Sequence, residues 1–197
     1  MRAQVRREQR RAAIIAAAEE ELAHSGLGGI TLAAVGARVG LSKGALYYYV
    51  DGRDSLLALV LEDALDAIRA EAALAVGLDA DPIARLASFA RTHVRGSVSR
   101  PAGPLIASSV YELASHEATA ELLRGHTTAL VEILDEAVAA GLLRPIAPIV
   151  ATAAFFGTLN TLARTYEPTG ELDLDDVIDA ALDVLLEGWS SRTQQES

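Results

Sequence analysis

The sequence predicts an all-α protein of about nine helices, three in an N-terminal head and six in a bundle behind it. Three observations lead there. Apolar residues recur at three- and four-residue spacing in segment after segment, the period of a one-sided helix. Glycines, prolines and helix-capping residues fall between those segments, where helices start and stop. No stretch alternates apolar and polar residues as a half-buried strand would, and no internal repeat is present.

Residues 1–11 hold five arginines and one glutamate. Such a terminus is either frayed and solvated or an arm that touches phosphate or a minor groove. An amphipathic helix over 7–24 follows, with Ile14, Ile15, Ala18 and Leu22 on its buried stripe, so no signal peptide is expected. Residues 25–29, Ser-Gly-Leu-Gly-Gly, form a turn. Thr31 is placed to cap the next helix through its hydroxyl, and Leu32, Val35 and Val39 give that helix one apolar face. Gly40 ends it in the left-handed conformation a helix C-terminus favours. Ser42 caps a third helix, on which Leu46 and Val50 point one way and Lys43, Gly44, Tyr47 and Tyr48 the other.

That outer face is unusual for a surface helix. It carries a capping serine, the sole lysine of the chain, two residues with little side chain (Gly44, Ala45) and tyrosines. Small residues admit a close approach, and lysine and tyrosine donate to phosphates and base edges. Helix, short turn and helix with such a face fit a helix-turn-helix, whose second helix enters the major groove. Asp51 is expected to cap a fourth helix running to about Val76, with Arg53 in its first turn, where a helix N-terminus and a guanidinium suit a phosphate.

The residues from Thr31 to Leu57, T-L-x-x-V-x-x-x-V-G-L-S-K-G-A-L-Y-Y-Y-V-x-x-R-D-S-L-L, resemble the N-terminal domain of the tetracycline-repressor (TetR) family of bacterial transcription regulators. Gly40, Leu41, Ser42, Gly44, Leu46, Tyr47 and Leu56 match the family pattern. Val50 stands where most members have Phe, Arg53 replaces the usual Lys, and Gly36 sits where Ala is usual and is expected to weaken its helix. The resemblance implies a DNA-binding head over residues 1–57, an effector-binding and dimerisation bundle over 58–192 joined to it by the fourth helix, and a tail over 193–197. It also implies that Thr31, Ser42, Tyr47 and Arg53 hold phosphates while Lys43, Gly44, Ala45 and Tyr48 lie against base edges.

Charge is distributed accordingly. The net charge is −10, which by itself argues against nucleic acid. Residues 1–57, however, carry eight Lys/Arg against six Asp/Glu, and the remainder nine against twenty-one. An acidic body with a basic end is expected when only one end faces phosphate. The absence of cysteine excludes disulfides and thiolate metal sites and fits a reducing cytoplasm.

Residues 77–82 separate head from body, and Asp81-Pro82 starts a fifth helix to about Val98. Further helices are expected over 104–115, 117–140, 147–166 and 173–189. Residues 145–163 carry no charge and approach the roughly 20 residues that span a bilayer. Two prolines, three threonines and Asn160 there point instead to a helix buried by protein, with no membrane partner. An effector pocket is expected among the fifth to eighth helices, from Phe89, His93, Ile106, Val110, His126, Phe155 and Asn160, for a mainly apolar molecule with one or two hydrogen-bonding groups. An acidic effector is disfavoured, since few inward-facing arginines can be identified.

A homodimer is expected on the last two helices. Ala153, Gly157 and Thr161, four apart, permit close helix approach, and Val177, Ile178, Ala181, Leu182 and Leu185 form a stripe beside them. The function expected is a repressor released from palindromic double-stranded operator DNA by a small molecule. An effector-independent DNA-binding dimer, or a helical enzyme or carrier with a degenerate head, is the alternative. Glu112 and His116 lack the spacing of di-iron bundles, and no nucleophile elbow, phosphate loop or zinc motif occurs, so no catalytic residue, metal or cofactor is expected.

Overall fold

The computed structural model describes residues 2–75, 80–167 and 172–190. Within them lie ten helices: α1 Arg2–Gly29, α2 Leu32–Arg38, α3 Lys43–Leu46, α4 Arg53–Ala75, α5 Pro82–Val98, α6 Gly103–Ser108, α7 Val110–Leu113, α8 Glu117–Ala139, α9 Pro148–Thr165 and α10 Leu174–Trp189. No strand forms among them; a single antiparallel bridge joins Leu143 to Ser190. No helix of the described residues is long and apolar enough to cross a membrane.

Capping chemistry explains most boundaries. The Asp81 carboxylate accepts from the backbone N–H of Ile83 (2.9 Å) and Ala84 (3.3 Å), with Pro82 opening α5. Asp173 caps α10 by accepting from Asp175 N–H at 2.9 Å. At the end of α2, Gly40 has φ 66°, and Leu41 N–H reaches back to the Gly36 carbonyl (2.8 Å) while Gly40 N–H reaches Ala37. This pairing satisfies two end carbonyls of the helix. Gly36 is buried, and a Cβ there would lie 2.8 Å from the Leu41 carbonyl oxygen, so the glycine admits the tight turn rather than merely weakening the helix.

Four boundaries differ from the sequence expectation. α1 reaches Arg2, and the expected turn at 25–29 is a kink at Gly26, where φ is 72° and ψ 175°. α3 is one turn long. α4 begins at Arg53 with Gly52 ahead of it, whose carbonyl accepts from Leu56 N–H, so Asp51 is not its cap. The helix expected over 104–115 is broken at Ser109 into α6 and α7, which accounts for ten helices in place of nine. The tail over 193–197 and the first half of the expected 77–82 linker, residues 77–79, lie outside the described residues.

Two apolar cores result. In the head, Ile14, Leu22, Ile30, Val35, Leu46 and Leu56 pack together, joined by Ala102 and by Leu113 of α7. In the body, Leu86, Leu130, Phe155, Leu159 and Ile178 are fully buried. Between them Leu61, Leu65 and Ile68 of α4 pack on Ile106, Leu122 and Leu123. Arg100, just beyond α5, is ion-paired to Glu19 of α1 and at 2.7 Å to Asp63 of α4, a charged tie across the same joint.

α6 crosses the end of α5 at a distance only glycine allows. A Cβ at Gly103 would stand 1.7 Å from the Ser97 carbonyl oxygen. Gly103→Ala is therefore expected to cost about 1–3 kcal/mol, the range for forced overpacking, read as a lower midpoint in urea unfolding; an unchanged midpoint would show that α6 can lift off α5 freely.

Candidate DNA-binding face and effector cavity

The outer face of the head is built from two capped helix starts. Thr31 Oγ1 accepts from Ala34 N–H at 3.2 Å and Ser42 Oγ from Ala45 N–H at 3.1 Å. Each hydroxyl keeps its own hydrogen for an outside acceptor, and both residues are exposed. Lys43 is exposed with Nζ 5.9 Å from the centre of the Tyr47 ring. Tyr47 is 46% exposed and Tyr48 73%, high values for tyrosines with no solvent role. Gly44 is exposed and a Cβ on it would meet nothing, so its smallness answers no demand of the chain's own packing. Ala45 is half-buried.

Arg53 is placed differently from the expectation. Its guanidinium donates to the Leu27 carbonyl and lies 3.7 Å from Asp54, with Nε buried. It fastens the end of α1 to α4, with about a third of its side chain left exposed. The side chains that do flank the tyrosines come from α1: Arg6, Arg7 and Arg10 share a groove with Tyr48 and Tyr49. The signal was present in the five arginines of the first eleven residues, but helical phase alone does not bring α1 beside α3.

The body holds a partly open cavity of about 110 Å³, several times the roughly 10–15 Å³ that one water needs. His93, Ile106, Val110, His126 and Asn160 line it together. Phe89 and Phe155 do not. Phe89 stacks behind His126 with ring centres 4.9 Å apart, and Phe155 is fully buried in the body core, so the wall is formed by its neighbour Phe156. Because α9 is apolar on most sides, the sequence leaves its rotation undetermined. The inner side of α4 (Leu61, Leu65, Ile68) supplies a wall that the sequence reading left out.

The polar groups sit in an ordered chain. His93 Nε2 lies 3.0 Å from Asn160 Oδ1 and His93 Nδ1 lies 3.1 Å from His126 Nε2. With Asn160 accepting through its oxygen, His93 donates from Nε2 and accepts at Nδ1 from His126. Burial pushes the His93 pKa down, against the opposing Asn160 bond, which favours its neutral imidazole. Arg100 is the one permanently charged side chain among the described lining residues. Burial works against its charge, but the bonds to Asp63 and Glu19 outweigh it and its pKa is raised. It sits in the short break between α5 and α6, where helical phase predicts nothing. No group of three or more potential metal-ligating side chains is assembled among the described residues.

On the far side of the body, Ile149 (76% exposed), Val150, Ala153, Gly157 and Thr161 run along an open face of α9, and Val184 (75%) stands on α10. Val177, Ala181 and Leu185 are half-buried. Ile178 and Leu182 are buried in the chain's own core, so these two members of the expected dimer stripe are not available to a partner. Their phase was ambiguous because α10 carries apolar residues on both the inner and outer shoulders of the stripe.

Comparison with known proteins agrees with both halves. Residues 14–60 match the profile of bacterial regulatory proteins of the tetR family, and residues 79–189 match that of the tetracyclin repressor-like C-terminal domain. No curated protein matches the chain. Similar solved structures include FadR from Bacillus subtilis in complex with stearoyl-CoA (20% identity, 90% of this chain and 98% of that one, TM-score 0.76). The ketosteroid regulator KstR2 of Mycobacterium tuberculosis (21%, 92% and 95%, 0.71) and a TetR/AcrR-family regulator from Thermobifida fusca (27%, 91% and 98%, 0.64) are also similar. With a capped helix-turn-helix at one end, and with the C-terminal profile alone spanning more than half of its length, this chain belongs to the tetracycline-repressor family of bacterial transcriptional regulators.

Proposed function

We propose that the protein is a cytoplasmic homodimeric repressor that binds a palindromic operator through residues 1–57 and leaves it when a small, largely apolar molecule enters the cavity of residues 58–192. The observation that carries this reading is the double role of α4. Its first turns pack in the head core through Leu56 and Leu57, and its next turns, from Leu61 to Ile68, wall the cavity. A molecule that prefers one setting of α4 therefore biases the position of the recognition helix, which is all an effector must do. The similar FadR structure holds stearoyl-CoA, which supports an apolar body for the ligand. An effector-independent DNA-binding protein has no use for a cavity of this size.

On DNA, Lys43, Gly44 and Tyr48 take the base edges and Thr31, Ser42 and Tyr47 the phosphates, with Arg6, Arg7 and Arg10 replacing Arg53 among the backbone contacts. Selection of bound sequences from a random DNA pool is expected to return a palindrome with half-sites about one helical turn, or a multiple, apart. Lys43→Ala should relax its sequence preference and lose about 1–3 kcal/mol, whereas Tyr47→Phe should weaken all sequences alike. The same motif at the same affinity for Lys43→Ala would remove the lysine from the base-reading role.

The dimer forms on the open face of α9, from Ile149 to Thr161, with Val177, Ala180, Ala181, Val184 and Leu185 of α10. Two copies of this face complete a four-helix layer and supply the two-fold axis a palindrome requires. Among the described residues, nothing beyond its own stretch of helix lies within 4 Å of a Cβ at Gly157, so Gly157→Glu is expected to leave the monomer's packing intact. It should yield a folded monomer by light scattering and abolish operator binding; a Gly157→Glu dimer that still binds would place the interface elsewhere.

A further inference from the structure

We propose that the cavity takes an apolar molecule bearing one anionic oxygen group, that Arg100 binds this group, and that doing so withdraws the guanidinium from Asp63 of the connecting helix α4 and from Glu19 of α1, the carboxylate through which it holds the head. This rests on the ligand-responsive reading above and names its ligand class and trigger.

Arg100 faces two spaces at once. On one side it lines the cavity; on the other it lines an outer groove together with Ile15, Glu19 and Asp63. Glu19 and Asp63 border the groove and not the cavity. Among the described residues that line the cavity, Arg100 therefore carries the only permanent charge, and the two carboxylates paired to it line the groove instead. Of the remaining polar lining, Asn160, Thr127 and Ser97 carry no charge, and burial disfavours the charged form of His93. Such a cavity favours an anion at the Arg100 end, hydrocarbon along Leu65, Ile106 and Phe156, and a hydrogen-bonding group toward Asn160.

The exchange is chemically even for the arginine and uneven for the head. A guanidinium binds a ligand carboxylate or phosphate with the same forked donors it offers to Glu19 and Asp63. Glu19 is the group left stranded. Its side chain is only 9% exposed, and an ionised carboxylate that loses its partner at such a depth is strongly destabilised. It regains solvation if α1 moves outward from the joint. Ligand binding and head displacement are thus coupled, and the coupling is reciprocal: loosening the Glu19 contact must strengthen the ligand by the factor by which the ligand loosens the contact.

The reciprocity supplies a test independent of DNA. Hexanoate, hexanoyl-CoA and hexanol are titrated into the full-length protein by calorimetry. At least one of the two anions is expected to bind ten-fold or more tightly than hexanol. Tighter hexanoate identifies a carboxylate on the chain itself, and tighter hexanoyl-CoA a phosphate of an attached carrier. Arg100→Gln should erase the preference over hexanol, and Arg100→Lys should retain part of it. Glu19→Gln, on the groove side of Arg100, should raise the affinity of the preferred anion several-fold, and that anion should speed amide hydrogen exchange in α1 of the unmodified protein. Equal binding of all three probes, or an anion affinity that Glu19→Gln leaves unchanged or lowers, overturns the proposal. If Arg100→Gln does not fold, the Glu19→Gln titration decides it alone. Release of the selected operator by an uncharged or cationic molecule, with the anions inert, overturns this inference and leaves the repressor reading standing. Failure of the DNA selection strikes the repressor reading and leaves these titrations interpretable.

Discussion

Everything in this molecule depends on α4 being buried from two directions. Its N-terminal turns close the head core and its middle turns close the joint with α6 and α8. A helix shared in this way cannot rotate or slide to suit one side without disturbing the other, because protein interiors are packed too densely to absorb the change locally. The head is small, and part of its apolar core is lent by Ala102 and Leu113, which belong to the body by sequence. The two halves are therefore separate in sequence and composition but not in their cores.

The two functional surfaces solve opposite problems of polarity. The recognition face keeps hydroxyls, an amine and phenols in water, each with spare donors, on a framework fixed by two helix caps. In the cavity wall Asn160, His93 and His126 instead bond to one another in a chain. Buried groups left without partners cost far more than exposed ones, so bonding among themselves matters more for the interior set than for the exterior one. Arg100 is the exception, a charge on the cavity wall made tolerable by carboxylates outside the wall.

The head was readable from the sequence because its signals are local. Thr31, Gly40 and Ser42 determine their own backbone geometry and that of three or four neighbours. The same holds for Asp81-Pro82 and Asp173. What could not be read depends on how helices meet. Arg53 looks like a phosphate ligand until the end of α1 is brought within reach of it. Phe155 and Phe156 exchange roles with a rotation of α9 that its uniformly apolar sequence does not specify. Ile178 and Leu182 turn inward because α5 lies on that side. The break at Ser109 lacks any glycine or proline to announce it, and Arg100 lies between helices, where periodicity has no meaning.

The body ends on its single tryptophan. Trp189 closes α10, is 8% exposed, lies against Phe155 with ring centres 6.5 Å apart, and passes its carbonyl to Arg144 N–H at 2.8 Å. The head has no indole, only the run Tyr47, Tyr48 and Tyr49. Excitation at wavelengths that tyrosine does not absorb thus gives an optical signal that belongs to the body alone. The chain carries its own built-in distinction between a head that detaches and a bundle that melts, with no label added.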